Sequence, residues 1–390
     1  MKNPADFKME AHRPYVFKSR LKTILMKSMD RIGNRWFSSP SKPIPWSGVK
    51  KVAVLRMDHI GDVLLALPCL EALTRQLPQA QVDFFVGPWS RDAAELSGLK
   101  VGVKIFSAPW FSKNTPKAWP LKSIQELSGR LQENHYDAVI DLRGDFRHIL
   151  AMKFANIPIR IGQTRTGGGF LLTHPVIFNP ELHEVDQNLS LLSQTGLETG
   201  AGNTTPRIFL RPEDEKEAER ISHSLNLTRP VIALHATCAA TAKQWPPENW
   251  RQLIEAIPSD FDIVMVGTVK EKNDMEKIIG GCPRKVVLTA GMFKLGELAA
   301  FLKRCQLFIG VDSGPAHIAA AVGTPVISLL SGTNLASQWS PRGPKVTVIQ
   351  KVTPCSPCER TECAFNNECM REIMVGEVLN LVQSNLKGRF

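Results

Sequence analysis

Read by hydropathy, the chain from Lys51 to Leu330 alternates short apolar runs with longer amphipathic ones. The runs Lys51–Arg56, Gln81–Val86, Val103–Ser107, Ala138–Leu142 and Ile159–Ile161 are close to continuously apolar, the mark of strands buried on both faces. Between them Leu64, Leu65, Leu67, Leu70, Leu73 and Leu77 recur at helical spacing and predict a helix over Asp62–Leu77. Helices are also predicted at Leu121–Asn134 and Phe146–Ala155. A second series has strands at Val231–His235, Ile263–Val266, Val286–Leu288, Leu307–Val311 and Val326–Leu330. Its helices are Glu248–Ala256, Glu271–Ile279, Leu295–Lys303 and Ala316–Val322. Strand alternating with helix predicts an α/β chain of two doubly wound parallel sheets, with a substrate cleft between the halves.

The polar stretch Glu198–Arg229, holding a charged helix at Pro212–Leu225, separates the two series. We divide the chain into a basic tail and linker (1–46), a first Rossmann-like domain (47–200), a second (201–370) and a C-terminal helix (371–390). That last helix, Ile373–Ser384, is expected to pack back across the domains.

Charge changes the picture mainly at the N-terminus. The net charge is +11, and Met1–Pro45 alone holds ten Lys/Arg against three Asp/Glu. A nucleic-acid binder spreads such charge over its folded surface. A basic arm on a near-neutral body fits an anionic membrane surface equally well. Within the arm, Val16, Leu21, Ile24, Leu25, Met29, Ile32 and Trp36 follow a helical period over Tyr15–Phe37. This basic amphipathic helix can lie on lipid or dock on the protein's own surface. The N-terminus has no secretory apolar core, and no run approaches the length of a membrane span, so the expected place is the cytoplasm, with contact to the inner membrane surface.

Candidate chemistry gathers where strands give way to helices. Val311–Pro325 reads VDSGPAHIAAAVGTP: Asp312, Ser313 and Gly314 turn the chain, and Pro315 opens a helix. Free amides and a positive dipole end there suit a phosphate, with Ser313 and His317 adding side-chain donors. After the first strand, Gly61-Asp62 is followed by Pro68 with five residues between. Asp62 can cap its helix or act as a general base. Lys243 is a point charge suited to a pyrophosphate, close after Thr237 and Thr241. Arg143, Arg147 and His148 follow the strand Ala138–Leu142 and suit an anionic acceptor or simply a charged surface. The D-x-D triplet Asp260-Phe261-Asp262 precedes a strand, at the wrong end of its sheet for catalysis, so no catalytic divalent ion is expected. Cys355, Cys358, Cys363 and Cys369 form a C-x2-C-x4-C-x5-C cluster that could hold zinc or an iron–sulfur cluster, with wide second spacing.

Strand, DSGPxH, small-residue helix and GTP together resemble the donor motif of the glycosyltransferase family 9 heptosyltransferases. The GD-x5-P loop, the stretch HAT…K-x-WP…W from His235 to Trp250, YDAVIDLRG from Tyr136 and HEVDQNL from His183 are similar to that family too. The resemblance spans Lys51 to Leu381 and implies a GT-B fold and inverting transfer of heptose from ADP-heptose to a lipopolysaccharide core acceptor. It implies Asp62 as the catalytic base, and Thr237, Lys243, Glu271, Asp312, Ser313, Gly314 and His317 as donor contacts, with Glu271 on the ribose. Arg143 and Arg147 would face the acceptor. No cofactor is implied. The competing readings are a GT-B enzyme of another kind, such as a nucleotide-sugar epimerase, and a non-catalytic nucleotide-sugar or lipid binder.

Overall fold

Six strands, β1 (Lys51–Leu55), β2 (Gln81–Val86), β3 (Gly102–Ile105), β4 (Ala138–Asp141), β5 (Ile159–Gln163) and β6 (His174–Val176), make one parallel sheet. Their spatial order in the computed structural model is β3-β2-β1-β4-β5-β6. The other sheet holds β7 (Val231–His235), β8 (Asp262–Met265), β9 (Val287–Leu288), β10 (Leu307–Val311), β11 (Val326–Leu330) and β12 (Val346–Gln350). Its order, β9-β8-β7-β10-β11-β12, is the same 3-2-1-4-5-6 arrangement, again all parallel. The structure describes residues 20–37, 42–111, 121–200 and 204–386. The chain divides into two compact units at Thr204 and Thr205, each with one sheet.

The expected strands and helices of both series are present, with ends moved by a few residues. Two edge strands escaped the hydropathy reading. β6 is three residues long with Pro175 in its middle, and β12 is half-buried throughout, so neither gives a continuous apolar run. In both sheets the chain reverses its direction of travel between the first and fourth strands. At such a switch point the carboxyl ends of two strands diverge and leave a crevice. In the first unit this point lies between β1 and β4, and in the second between β7 and β10.

Helices cover the sheets because their apolar stripes match the strand faces. In the first unit Val63, Leu64, Leu67 and Leu70 of the helix Ile60–Gln76 are buried. The helix Glu184–Gln194 packs beside it, with the Cys69 thiol donating to Asn188 O and the Asn188 amide to Leu65 O, both at 3.3 Å. That second helix carries most of the HEVDQNL stretch, with His183 as its N-cap.

In the second unit the charged helix Pro212–Ser224 turns one side inward. It buries Ala218 and Ile221 while Lys303 pairs with its Glu215. The C-terminal helix, expected to cross both domains, seats Val378, Val382 and Leu386 in the second unit's core beside Trp245, Trp250 and Leu253. Trp245 anchors the preceding turn by donating to Ile373 O at 3.0 Å.

Candidate active site

In the first unit the switch point holds three guanidinium groups and three carboxylates. Arg56, one residue past β1, has no solvent exposure. Its Nη1 donates to Glu184 Oε1 at 2.8 Å and to Leu142 O at 3.0 Å, and its Nη2 to Asp62 Oδ1 at 3.0 Å. Its Nε lies 3.0 Å from Asp58 Oδ1, an ion contact without hydrogen-bond alignment. Burial works against the arginine's charge, but the three carboxylates outweigh it and push its pKa up.

Asp62 stands in the first turn of its helix, where its Oδ2 accepts the His59 N–H at 3.2 Å. It therefore does cap the helix, and Arg56 holds its other oxygen. Its side chain keeps 13% of its surface exposed, against 1% for Asp58 and 3% for Glu184, so of the three carboxylates it is the one open to a substrate.

Arg143, from the end of β4, reaches Asp58 Oδ2 at 2.9 Å and lies 3.8 Å from Asp62 Oδ1, its guanidinium over the Phe111 ring. Gly144 follows with φ +67, and a Cβ there would fall 2.7 Å from Gln163 O, so the turn that presents Arg143 needs glycine. Arg165 closes the group from the other side, 3.4 Å from Glu184 Oε2. Burial raises the Asp58 carboxyl above its usual range. Glu184, which burial also opposes, is instead held below its range by Arg56 and Arg165.

Arg147 turns to Asp145 at the start of its helix, Nε to Oδ1 at 2.7 Å, and stacks on Trp110. His148, read as an acceptor contact or surface charge, is neither: it is fully buried, with Nδ1 3.0 Å from Asp141 Oδ1 and Nε2 accepting from Trp110 at 3.3 Å. Burial opposes its charge, yet Asp141 raises its pKa.

In the second unit the ends of β7 and β10 carry two linked groups. Glu271 ends a short turn after β8, where its Oε2 accepts from Thr268 N and Oγ1 at 2.8 and 2.7 Å. Its Oε1 accepts from Thr237 Oγ1 at 3.0 Å and lies 3.4 Å from His235 Nε2. The other ring nitrogen of His235 meets Ser313 Oγ at 2.9 Å. Against the pull of burial, His235 and Thr268 hold Glu271 at a pKa of about 2. Thr241 faces elsewhere, towards Thr361 O, so Thr237 is the threonine at the site.

Beside this chain Lys243 Nζ pairs with Asp312 Oδ2 at 2.5 Å, Asn334 approaches the same oxygen at 3.4 Å, and His317 Nε2 stands 4.0 Å from Oδ1. Ser313 stands at the N-cap position of the helix Gly314–Ala321 without a side-chain cap bond, its Oγ donating instead to Val311 O at 3.0 Å, and the first turn carries Pro315. Thr237, Lys243, Glu271, Asp312, Ser313, Gly314 and His317 are thus gathered at one sheet edge. His235 and Asn334 belong with them and were not picked out from the sequence. Arg56 and Glu184 are their counterparts in the first unit. Asp262 accepts the Thr228 and Arg229 N–H groups at the opposite, amino end of its sheet, as the D-x-D reading expected.

All eight cysteines are free, and Cys369 is in the core accepting from Gly332 N. Among the described residues no group of three or more His, Cys, Asp or Glu is arranged to hold a metal ion.

Two doubly wound units, each with charged groups at its switch point and one with a lysine beside a bare helix start, have the architecture of a GT-B glycosyltransferase. Residues 124–368 match the family model for glycosyltransferase family 9 (heptosyltransferase), and the chain belongs to that family. It is 27% identical over 287 residues to lipopolysaccharide heptosyltransferase 3 of Escherichia coli, covering 70% of this chain and 81% of that one. It is 24% identical over 299 residues to the lipopolysaccharide core heptosyltransferase OpsX of Haemophilus influenzae, covering 75% and 82%. In fold it is similar to a family 9 glycosyltransferase from Veillonella parvula, with TM-score 0.73, 20% identity and coverage of 86% and 97%. It is likewise similar to E. coli ADP-heptose lps heptosyltransferase II, with TM-score 0.69, 20% identity and coverage of 86% and 98%.

Proposed function

We propose that this glycosyltransferase moves heptose from ADP-heptose to a hydroxyl of a lipopolysaccharide core acceptor, with inversion at the anomeric carbon. The names of the relatives in E. coli and H. influenzae support the sugar and acceptor. The observation that carries the chemistry is the contrast between the two switch points: a carboxylate open to solvent in one, a lysine beside a helix start in the other.

Asp62 takes the proton of the attacking hydroxyl. Arg56 and the His59 N–H hold its two oxygens, so the carboxylate meets that proton without reorienting. As the acceptor oxygen bonds to the anomeric carbon, the bond from that carbon to the nucleoside diphosphate breaks. Negative charge grows on the leaving diphosphate, where Lys243, His317 and the amides that open the Gly314–Ala321 helix stabilise it. Glu271, ionised at any working pH, accepts from the ribose hydroxyls. Arg143 recognises an anionic group of the acceptor. An acceptor carried on lipid brings the protein to the membrane surface, and among the described residues no helix is long and apolar enough to cross it.

The test is donor turnover with ADP-heptose and heptose-deficient lipopolysaccharide, comparing the native chain with Asp62→Asn. The variant should keep donor affinity and lose turnover by about 10²–10⁴-fold. Unimpaired turnover removes Asp62 from the mechanism. Failure of the native chain to bind ADP-heptose refutes the donor.

A further inference from the structure

We propose that the helix Arg20–Phe37 is an element already docked on the first unit, whose outward stripe lies flat on an anionic lipid bilayer. This deepens the membrane contact proposed above and rests on that reading only for the choice of a bilayer.

The helix meets the protein along one side. Met26, Asp30 and Gly33 are buried. Asp30 Oδ1 accepts the Gly168 N–H at 2.7 Å, and Gly33 lies so close to the Phe170 ring that a Cβ would fall 2.4 Å from it. Docking therefore needs a glycine and spends the helix's only acid.

Five other large apolar side chains take no part in this docking. Leu21, Leu25, Ile32 and Trp36 are spaced by four, seven and four residues, which sets them on one line along the helix, with Ile24 beside them. All five are exposed, Leu21 at 75% and Trp36 at 74%. Lys27, Arg31 and Arg35 are exposed along one flank of that line. A docked helix ordinarily turns its apolar stripe inward. Here the stripe faces out with cations beside it and a tryptophan at its end, the arrangement of an interfacial helix.

Charge selects the occupant. A second copy of the chain would bring the same cations against themselves, which like-charge repulsion disfavours. An anionic lipid surface answers both the cations and the apolar line. With five Lys/Arg in eighteen residues the helix cannot span a bilayer, so it lies in the plane.

The experiment is co-sedimentation of the full chain with vesicles of phosphatidylcholine alone, or of phosphatidylcholine and phosphatidylglycerol in equal parts. The native chain should favour the anionic vesicles at least tenfold. Leu25→Ser/Ile32→Ser/Trp36→Ser, all exposed positions, should keep the native urea midpoint and lose tenfold or more in vesicle binding. Lys27→Gln/Arg31→Gln/Arg35→Gln should lose roughly fivefold per cation, the equivalent of about 1 kcal/mol each. Vesicle binding unchanged in the serine variant overturns the proposal. So does a native chain indifferent to phosphatidylglycerol, or a serine variant altered only in oligomeric state, which would assign the stripe to a second copy. Transfer to a lipid-free core fragment separates the two readings. A chain that transfers but ignores vesicles overturns this inference alone; one that binds vesicles without transferring overturns the proposed reaction and leaves the helix assignment standing.

Discussion

Replacing Arg56 with methionine should destabilise the first unit about as much as truncating a large apolar residue of its core. Arg56 faces three carboxylates, but their losses are unequal. Asp58 keeps Arg143 at 2.9 Å, and Glu184 keeps Arg165 at 3.4 Å. Six charges become five, leaving about one buried carboxylate uncompensated, together with the Leu142 carbonyl deprived of its 3.0 Å donor. Stranding one partner of a buried pair costs about 3–5 kcal/mol, so the expected loss is of that size and not three times it. On a unit of this length that is roughly 6–20 °C in melting temperature. Arg56→Lys keeps the charge but cannot serve Asp58, Asp62 and Glu184 from one plane, and should lose about 1–3 kcal/mol.

The pH dependence has a definite sign. In the native protein Glu184 is depressed by Arg56 and Arg165, so its contribution is full above its unfolded pKa and is lost as pH falls through the lower folded value. In Arg56→Met the stranded carboxylates rise instead, and the folded state binds protons more readily than the unfolded one. The deficit of the variant should therefore be largest near neutrality and shrink towards about pH 5. Urea unfolding of the full chain at both pH values measures it. A variant as stable as the native chain at neutral pH, or a deficit that grows on acidification, would refute the charge accounting.

In the second unit, Lys243→Met should weaken donor binding by about tenfold or more, since it removes a cation and leaves the Asp312 carboxylate facing the phosphates. Adding Asp312→Asn should recover part of that loss in titration calorimetry; a double variant weaker than Lys243→Met would show that Asp312 is itself a donor contact. His148 has its pKa raised by Asp141, so its stabilising contribution is full below the ordinary histidine value of about 6.5 and fades as pH climbs through the higher folded value. The native unfolding midpoint should decline over that window while His148→Gln, read in the same urea titration, stays flat.

What the sequence disclosed and what it concealed divide along one physical line. Continuous apolar runs marked ten of the twelve strands among the described residues, because strands buried on both faces need no polar alternation. The polar residues ending four of those strands marked candidate chemistry at Asp62, Arg143, Thr237 and Asp312. Which strand ends are neighbours depends on the spatial order, and the order 3-2-1-4-5-6 in each sheet makes the first and fourth strands adjacent. That alone brings Asp62 beside Arg143 and Thr237 into the group around Ser313.

Three of the four residues that were missed, Arg56, Glu184 and His235, are buried and charged or polar. Arg56 and Glu184 are separated by 128 positions, so no local pattern links them. Arg56 reads as the frayed end of an apolar strand, and Glu184 as an acid favoured by its helix start. Only folding shows that each answers the other. A buried charge is tolerable only when paired, so an arginine closing an apolar strand already calls for acids from elsewhere in the chain. Asp58, Asp62 and Glu184 supply them, and the pairing that keeps Arg56 inside also fixes one oxygen of Asp62. Stability and the aim of the proposed base thus depend on the same guanidinium. Loss of Arg56 should depress turnover even at temperatures where the variant remains folded.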